Sequence, residues 1–159
     1  MQLPPITHII RHKRENKKKC SLQPLVGDPR FLFFTYPSRT PLPLNPAYLL
    51  LTLNAPPLTK ADAHRGILLL DGTWRYATKM KSYVDSLCKL ETRSIPLGWK
   101  TAYPRRQDDC EDPETGLASI EALFVAYFIL GRETKGLLEG YHWAEEFLKL
   151  NQEQLQKEK

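Results

Sequence analysis

The 159-residue sequence lacks paired cysteines, long apolar runs and the glycine signatures of common nucleotide sites, and each absence excludes something. Its three cysteines, Cys20, Cys88 and Cys110, are scattered and odd in number, with no CxxC pair and no Cys/His cluster at metal-ligand spacing. That usage argues against a zinc site, predicts no metal, and fits three reduced thiols in a cytoplasmic protein. No stretch reaches the roughly 18 consecutive apolar residues that a membrane span needs. The N-terminus offers prolines and a basic run, not a charged stub followed by an apolar segment, so no secretory signal and no membrane partner are expected. GxGxxG and GxxxxGK[ST] are missing, as are GxSxG and HExxH. His8, His12, His64 and His142 are isolated along the chain, and each reads as a packing or surface histidine, not a catalytic base.

What is present suffices for a folded domain. An apolar fraction of 42% and a charged fraction of 26% fit one globular unit over residues 1–159, large enough to bury a core. The formal charge of +5 is unevenly spread. Residues 11–19 carry six Lys/Arg against one Glu, within a basic, proline-containing N-terminal segment over 1–30, whereas negative charge gathers at 108–114 and near the C-terminus. The basic run suits a phosphate backbone, and charge alone leaves a solvated basic tail equally open.

The hydropathy pattern predicts strands at Phe31–Phe34, Tyr48–Leu53 and around Arg93–Pro96, with a Thr59-capped helical turn between the second and third. Ile67-Leu68-Leu69-Leu70 is the most apolar tetrad, and continuous apolarity over so few residues predicts a strand covered on both faces of a parallel sheet. Asp71-Gly72 ends it, and a helix is expected from Thr73 to about Leu90. Lys100–Leu117 reads as a surface loop. A largely buried helix begins near Ala118-Ser119-Ile120-Glu121, with Ser119 as its N-cap and Gly131 as its stop. A last amphipathic helix is expected from about Thr134, weakened at Gly140. Strands alternating with helices define an α/β domain with a mostly parallel sheet.

In open α/β sheets, ligands bind beyond the carboxyl ends of strands. Asp71 sits at that place, Gly72 allows close backbone approach or a positive φ, and Thr73 can cap a helix whose N-terminus favours an anion. Trp74 offers a flat apolar wall. Spacing alone somewhat favours a plain strand–helix turn with Trp74 in the core. Ser119 and Glu121 are the other polar candidates, and their helix start can face the same pocket as the strand end.

Four blocks then carry a resemblance. Leu70-Asp-Gly-Thr-Trp-Arg resembles the motif of the DTW-domain proteins and aligns with the Asp-Cys-Ser-Trp motif of the related ribosomal RNA aminocarboxypropyltransferases. Lys17-Lys-Lys-Cys-Ser, Leu117-Ala-Ser-Ile-Glu-Ala-Leu and Tyr141-His-Trp-Ala-Glu-Glu-Phe-Leu-Lys-Leu-Asn are similar, in order, to three further elements of that second group. The resemblance implies a SPOUT-like parallel sheet flanked by helices, with a C-terminal trefoil knot. It implies S-adenosylmethionine as co-substrate and transfer of its 3-amino-3-carboxypropyl group to N3 of a uridine or pseudouridine.

Carried onto this chain, the resemblance places Ser21, Leu69, the Leu97–Trp99 stretch and Ser119 against the co-substrate. Leu69 and Leu97 would act through their backbones, Ser21 through a hydrogen bond to the amino-acid moiety, and Trp74 and Trp99 beside it. Asp71 is the candidate catalytic group, accepting or orienting the N3 proton. Arg14, Lys17 and Lys18 of the basic run, with Arg75, Arg105 and Arg106, would contact RNA phosphates, which position without specifying sequence. Ala102-Tyr-Pro-Arg-Arg departs from the ribosomal group's Ala-Asn-Pro-x-Asn-Tyr-Gly block and leans toward the DTW branch, so ribosomal RNA leads as partner and transfer RNA follows. A non-catalytic RNA- or ribosome-binding module of the same fold is the alternative from another class.

Overall fold

The computed structural model describes residues 3–14, 21–72, 74–104 and 117–157, with Trp74 and Arg75 described by their backbone alone. Five parallel strands form one sheet: β1 (Thr7–His12), β2 (Phe31–Tyr36), β3 (Leu49–Leu51), β4 (Ile67–Asp71) and β5 (Glu91–Arg93), in the order β2-β1-β4-β3-β5. The helices are α1 (Trp74–Leu87), α2 (Ser119–Ile129), α3 (Ala144–Leu150) and α4 (Gln152–Lys157). β4 is the middle strand, as its unbroken apolar tetrad requires, because such a strand must be covered above and below.

The period of two along each strand sorts the core into two layers. Ile9, Phe31, Leu49, Leu51, Ile67 and Leu69 face Ile120, Leu123 and Tyr127 of α2. The alternate residues Ile10, Leu50 and Leu68 face Met80 and Val84 of α1. Leu49, Leu50 and Ile67 are fully buried, each contributing on the order of 1.5–3 kcal/mol of apolar burial. α2 is apolar around most of its circumference because the sheet covers one side and Leu137, Tyr141 and Phe147 cover another. Phe124 and Phe147 meet edge to face there, with ring centroids 6.0 Å apart. Gly131, at φ 72°, turns the chain out of α2.

Several expectations are corrected. The N-terminal segment contains β1, which lies between β2 and β4 and pairs with both. Two of its polar residues are buried and partnered: Thr7 shares a 2.6 Å hydrogen bond with Tyr127, and His12 stacks on Tyr76 at 3.9 Å. The first two residues of the basic run therefore belong to the sheet. The long terminal helix from Thr134 is replaced by turns up to residue 143, then α3 and α4 divided at Asn151. Gly140 lies so close to the Pro24 ring that a Cβ there would stand 2.6 Å from it, and Asn151 spends its side chain on the Lys100 backbone and on Phe147. The strand expected over Tyr48–Leu53 narrows to Leu49–Leu51, the one expected near Arg93–Pro96 is Glu91–Arg93 with a bridge from Ser94 to Pro57, and α1 ends at Leu87 instead of about Leu90. Thr59 caps a short 3-10 turn, as expected, accepting from Ala61 N–H while Asp62 accepts from Thr59 N–H.

Candidate active site

The register pairs Arg11 of β1 with Asp71 of β4, and alternation sends both side chains to the α2 face, at the carboxyl ends of the strands. Asp71 is 4% exposed. The start of α2 comes down onto it: Ser119 Oγ donates to Asp71 Oδ1 at 2.9 Å. A carboxylate beside the first turn of a helix is stabilised by the unsatisfied N–H groups and the dipole there. Ser21 completes the cluster from the loop before the 3-10 turn at Gln23–Leu25, its Oγ accepting from Ile120 N–H at 3.3 Å. Ser21, Asp71 and Ser119, three residues named from the sequence, are thus brought to one place.

Ser119 is not the N-cap expected of it. Ala118 holds that position, and Ser119 is the first helical residue, with its hydroxyl directed to Asp71. The N-terminus of α2 is capped instead by Ser21 and by Glu121, whose Oε1 accepts from Ala118 N–H at 2.8 Å. Glu121 is fully buried and also ties down the segment after β5. Thr101 Oγ1 donates to its Oε1 at 2.6 Å, and Ala102 N–H and Tyr141 Oη donate to its Oε2 at 2.8 and 3.0 Å.

Arg11 is the site residue that the sequence did not yield. It is 7% exposed, donates from Nη1 to Gln23 Oε1 at 2.9 Å, and lies over the Phe33 ring with Cζ 4.8 Å from its centroid. Its Nε is 3.4 Å from Asp71 Oδ2, an ion-pair distance without a hydrogen bond, and among the described residues Nη2 has no partner either. A buried donor left unpaired costs about 1–3 kcal/mol, more when charged, so this guanidinium is held at a cost. Within the basic run Arg11 was one of six cations suited equally to phosphate or to solvent, and no local pattern set it apart from the others.

The other expected residues are distributed as follows. Leu69 precedes Asp71 by two positions on the same face and is buried. Leu97 is 91% exposed beside Gly98, which has a positive φ. Trp99 packs in the core edge to face with Phe128. Lys100 is clipped to Asn151 through both backbone polar groups. Gly72 adopts no left-handed φ; its lack of a side chain answers to space, since a Cβ would stand 3.2 Å from both Met80 and Tyr76. Arg14 is exposed, and its N–H donates to His12 Nδ1 at 3.1 Å. The imidazole of His12 is pushed below its ordinary value by burial and then by Arg14, Lys13 and Lys79, which places those cations around the end of β1. Thr73, Lys17, Lys18, Arg105 and Arg106 lie outside the described residues, as do the side chains of Trp74 and Arg75. Among the described residues, no helix is long and apolar enough to cross a membrane, and no cluster of His, Cys, Asp and Glu could hold a metal ion.

With this geometry in view, comparison with known proteins gives one informative likeness. The fold matches the SAM-dependent rRNA:acp-transferase Tsr3 from Vulcanisaeta distributa with a TM-score of 0.74, over 98% of this chain and 83% of that one, at 23% identity. No protein-family model matches the chain, and no curated protein matches it by sequence. The likeness establishes the class of fold: an all-parallel α/β sheet flanked by helices, shared with that transferase.

Proposed function

We propose that this protein is an S-adenosylmethionine-dependent RNA aminocarboxypropyltransferase that modifies N3 of a uridine or pseudouridine in ribosomal RNA. The observation that carries the reading is the meeting of Ser21, Asp71 and Ser119 at the carboxyl ends of the sheet, in a fold shared with an rRNA transferase of that kind. These residues come from three of the blocks that carried the sequence resemblance, and they are 98 positions apart at their extremes. Chance similarity of separate short motifs gives no reason for them to converge.

The residues suit the co-substrate in kind. S-adenosylmethionine is rich in acceptors, and Arg11 Nη2 is a buried donor without an acceptor among the described residues. Ser21 and the backbone of Leu69 in β4 would hold the co-substrate, with Trp74 as a wall. The co-substrate supplies an electrophilic γ-carbon: N3 forms a bond to it as the carbon–sulfur bond breaks, the electron pair stays on sulfur, and 5′-methylthioadenosine leaves. The protein's part is to orient that carbon toward N3 and to shield the methyl group. Asp71, fixed from one side by Ser119 and from the other by Arg11, would accept or orient the N3 proton. Lys13, Arg14 and Lys79 border the same end of the sheet and suit phosphate contacts, with Lys17, Lys18, Arg75, Arg105 and Arg106 as the further RNA candidates.

Mass spectrometry of nucleosides from fractionated RNA of cells lacking the protein tests the reading. Loss of an aminocarboxypropyl-uridine from ribosomal RNA is expected. Loss from transfer RNA instead would move the substrate, and loss of a methyl group alone would overturn the reaction.

A further inference from the structure

Arg11 is placed with more care than a strut needs. A guanidinium has five N–H groups in a rigid fork, and its strongest partner is a carboxylate engaging two of them in parallel. Asp71 is adjacent but does not complete that fork. Its Oδ1 accepts from Ser119, its Oδ2 stands 3.4 Å from Nε outside hydrogen-bonding geometry, and Arg11 Nη2 has no partner among the described residues. Water does not supply the missing acceptor from bulk, since Arg11 is 7% exposed. One ring, Phe33, lies against the guanidinium, and Gln23 takes Nη1, so the rotamer is held by parts of the fold that do not depend on a ligand.

We infer that Arg11 reads the α-carboxylate of the amino-acid moiety of the S-adenosyl co-substrate, so that the pocket distinguishes ligands that carry this group from those that lack it. The inference rests on the reading of the site as an S-adenosylmethionine pocket. Charge supports the choice of ligand group. Arg11 and Asp71 are one buried cation and one buried anion, and the N–H groups at the start of α2 are already taken up by Ser21 and Glu121. An ammonium–carboxylate zwitterion enters such a site without changing its net charge, whereas a phosphate would bring its second negative charge against Asp71. Arginine also suits the task better than lysine, because its planar fork can keep Gln23 on one nitrogen while offering another to a carboxylate oxygen.

The test is a calorimetric titration of the full chain and its Arg11→Gln and Arg11→Lys variants with three ligands: S-adenosylmethionine, its decarboxylated form, and 5′-methylthioadenosine. The wild-type chain is expected to prefer S-adenosylmethionine over the decarboxylated form by about ten- to hundredfold, the range for a charge-assisted hydrogen-bonded pair. In Arg11→Gln that ratio should fall close to one while 5′-methylthioadenosine, which has no amino-acid moiety, binds as before; Arg11→Lys should keep part of the ratio. Equal wild-type affinity for the two S-adenosyl ligands would overturn the inference, and this comparison needs no variant to fold. Equal weakening of all three ligands in Arg11→Gln would also overturn it, leaving Arg11 a packing element. Failure of the wild-type chain to bind S-adenosylmethionine at all is a different result, which removes the co-substrate reading itself.

Discussion

Replacing Glu121 by glutamine should destabilise the protein and loosen the candidate site together, although the two side chains have nearly the same shape. The carboxylate is fully buried and each of its oxygens accepts from one backbone N–H and one hydroxyl: Ala118 and Thr101 on Oε1, Ala102 and Tyr141 on Oε2. A glutamine amide can serve only one side. Whichever way it flips, its NH2 group faces a backbone N–H, and that donor is orphaned at a cost of about 1–3 kcal/mol. The hydroxyl on that side can turn to accept, and the remaining bonds lose their charge assistance, for a total of about 2–3 kcal/mol. Glu121→Ala leaves both backbone donors unpaired and should cost about 3–5 kcal/mol, a large share of the stability of a domain this size. Urea unfolding at constant slope reads both values, and the alanine variant should melt about 10 °C lower. Because Glu121 fixes the start of α2, which carries Ser119, both variants should also bind S-adenosylmethionine more weakly. A glutamine variant within about 0.5 kcal/mol of wild type would refute the four-donor account of this carboxylate.

Two further predictions concern the site and the fold. Trp74→Ala should weaken S-adenosylmethionine binding, whereas Asp71→Asn should spare binding and lower turnover; equal loss of binding and turnover in the Asp71 variant would argue against a role in handling the N3 proton. Stability should fall on mild acidification, because burial lowers the imidazoles of His8 and His12 below their ordinary value, and Arg14, Lys13 and Lys79 add to the effect at His12. Groups with a depressed folded-state value bind fewer protons in the native chain than in the unfolded one, so stability is full at pH 7.5 and declines as pH drops through about 6.5. Urea midpoints at pH 7.5 and 5.5 should therefore differ less in a His8→Phe/His12→Phe variant than in wild type; an unchanged difference would assign the acid sensitivity elsewhere.

How much of this was legible beforehand depends on whether a residue's neighbours are near in sequence. β4 announced itself because four consecutive apolar residues have one economical placement, the middle of a parallel sheet. α2 did so because its apolar residues exceed one face. β1 stayed hidden since Thr7, Arg11 and His12 count as polar in any local pattern, and what makes them core residues is Tyr127, Asp71 and Tyr76, at separations of 60 residues or more. The interrupted C-terminal helices have the same origin: Gly140 answers to Pro24 and Asn151 to Lys100. At the site, the serines and Asp71 were named by motif, but their junction and the buried guanidinium beside it arise from strand register and from the seating of α2, which no local spacing encodes.

The most direct test of the central claim follows two isotopic labels on S-adenosylmethionine, one in the carboxyl carbon and one in the methyl group, during incubation of the protein with ribosomal RNA that lacks the modification. The carboxyl label should enter RNA while the methyl label stays on released 5′-methylthioadenosine, the two in equal amounts. Methyl label in RNA with release of S-adenosylhomocysteine, or no label in RNA at all while S-adenosylmethionine binds, would contradict it.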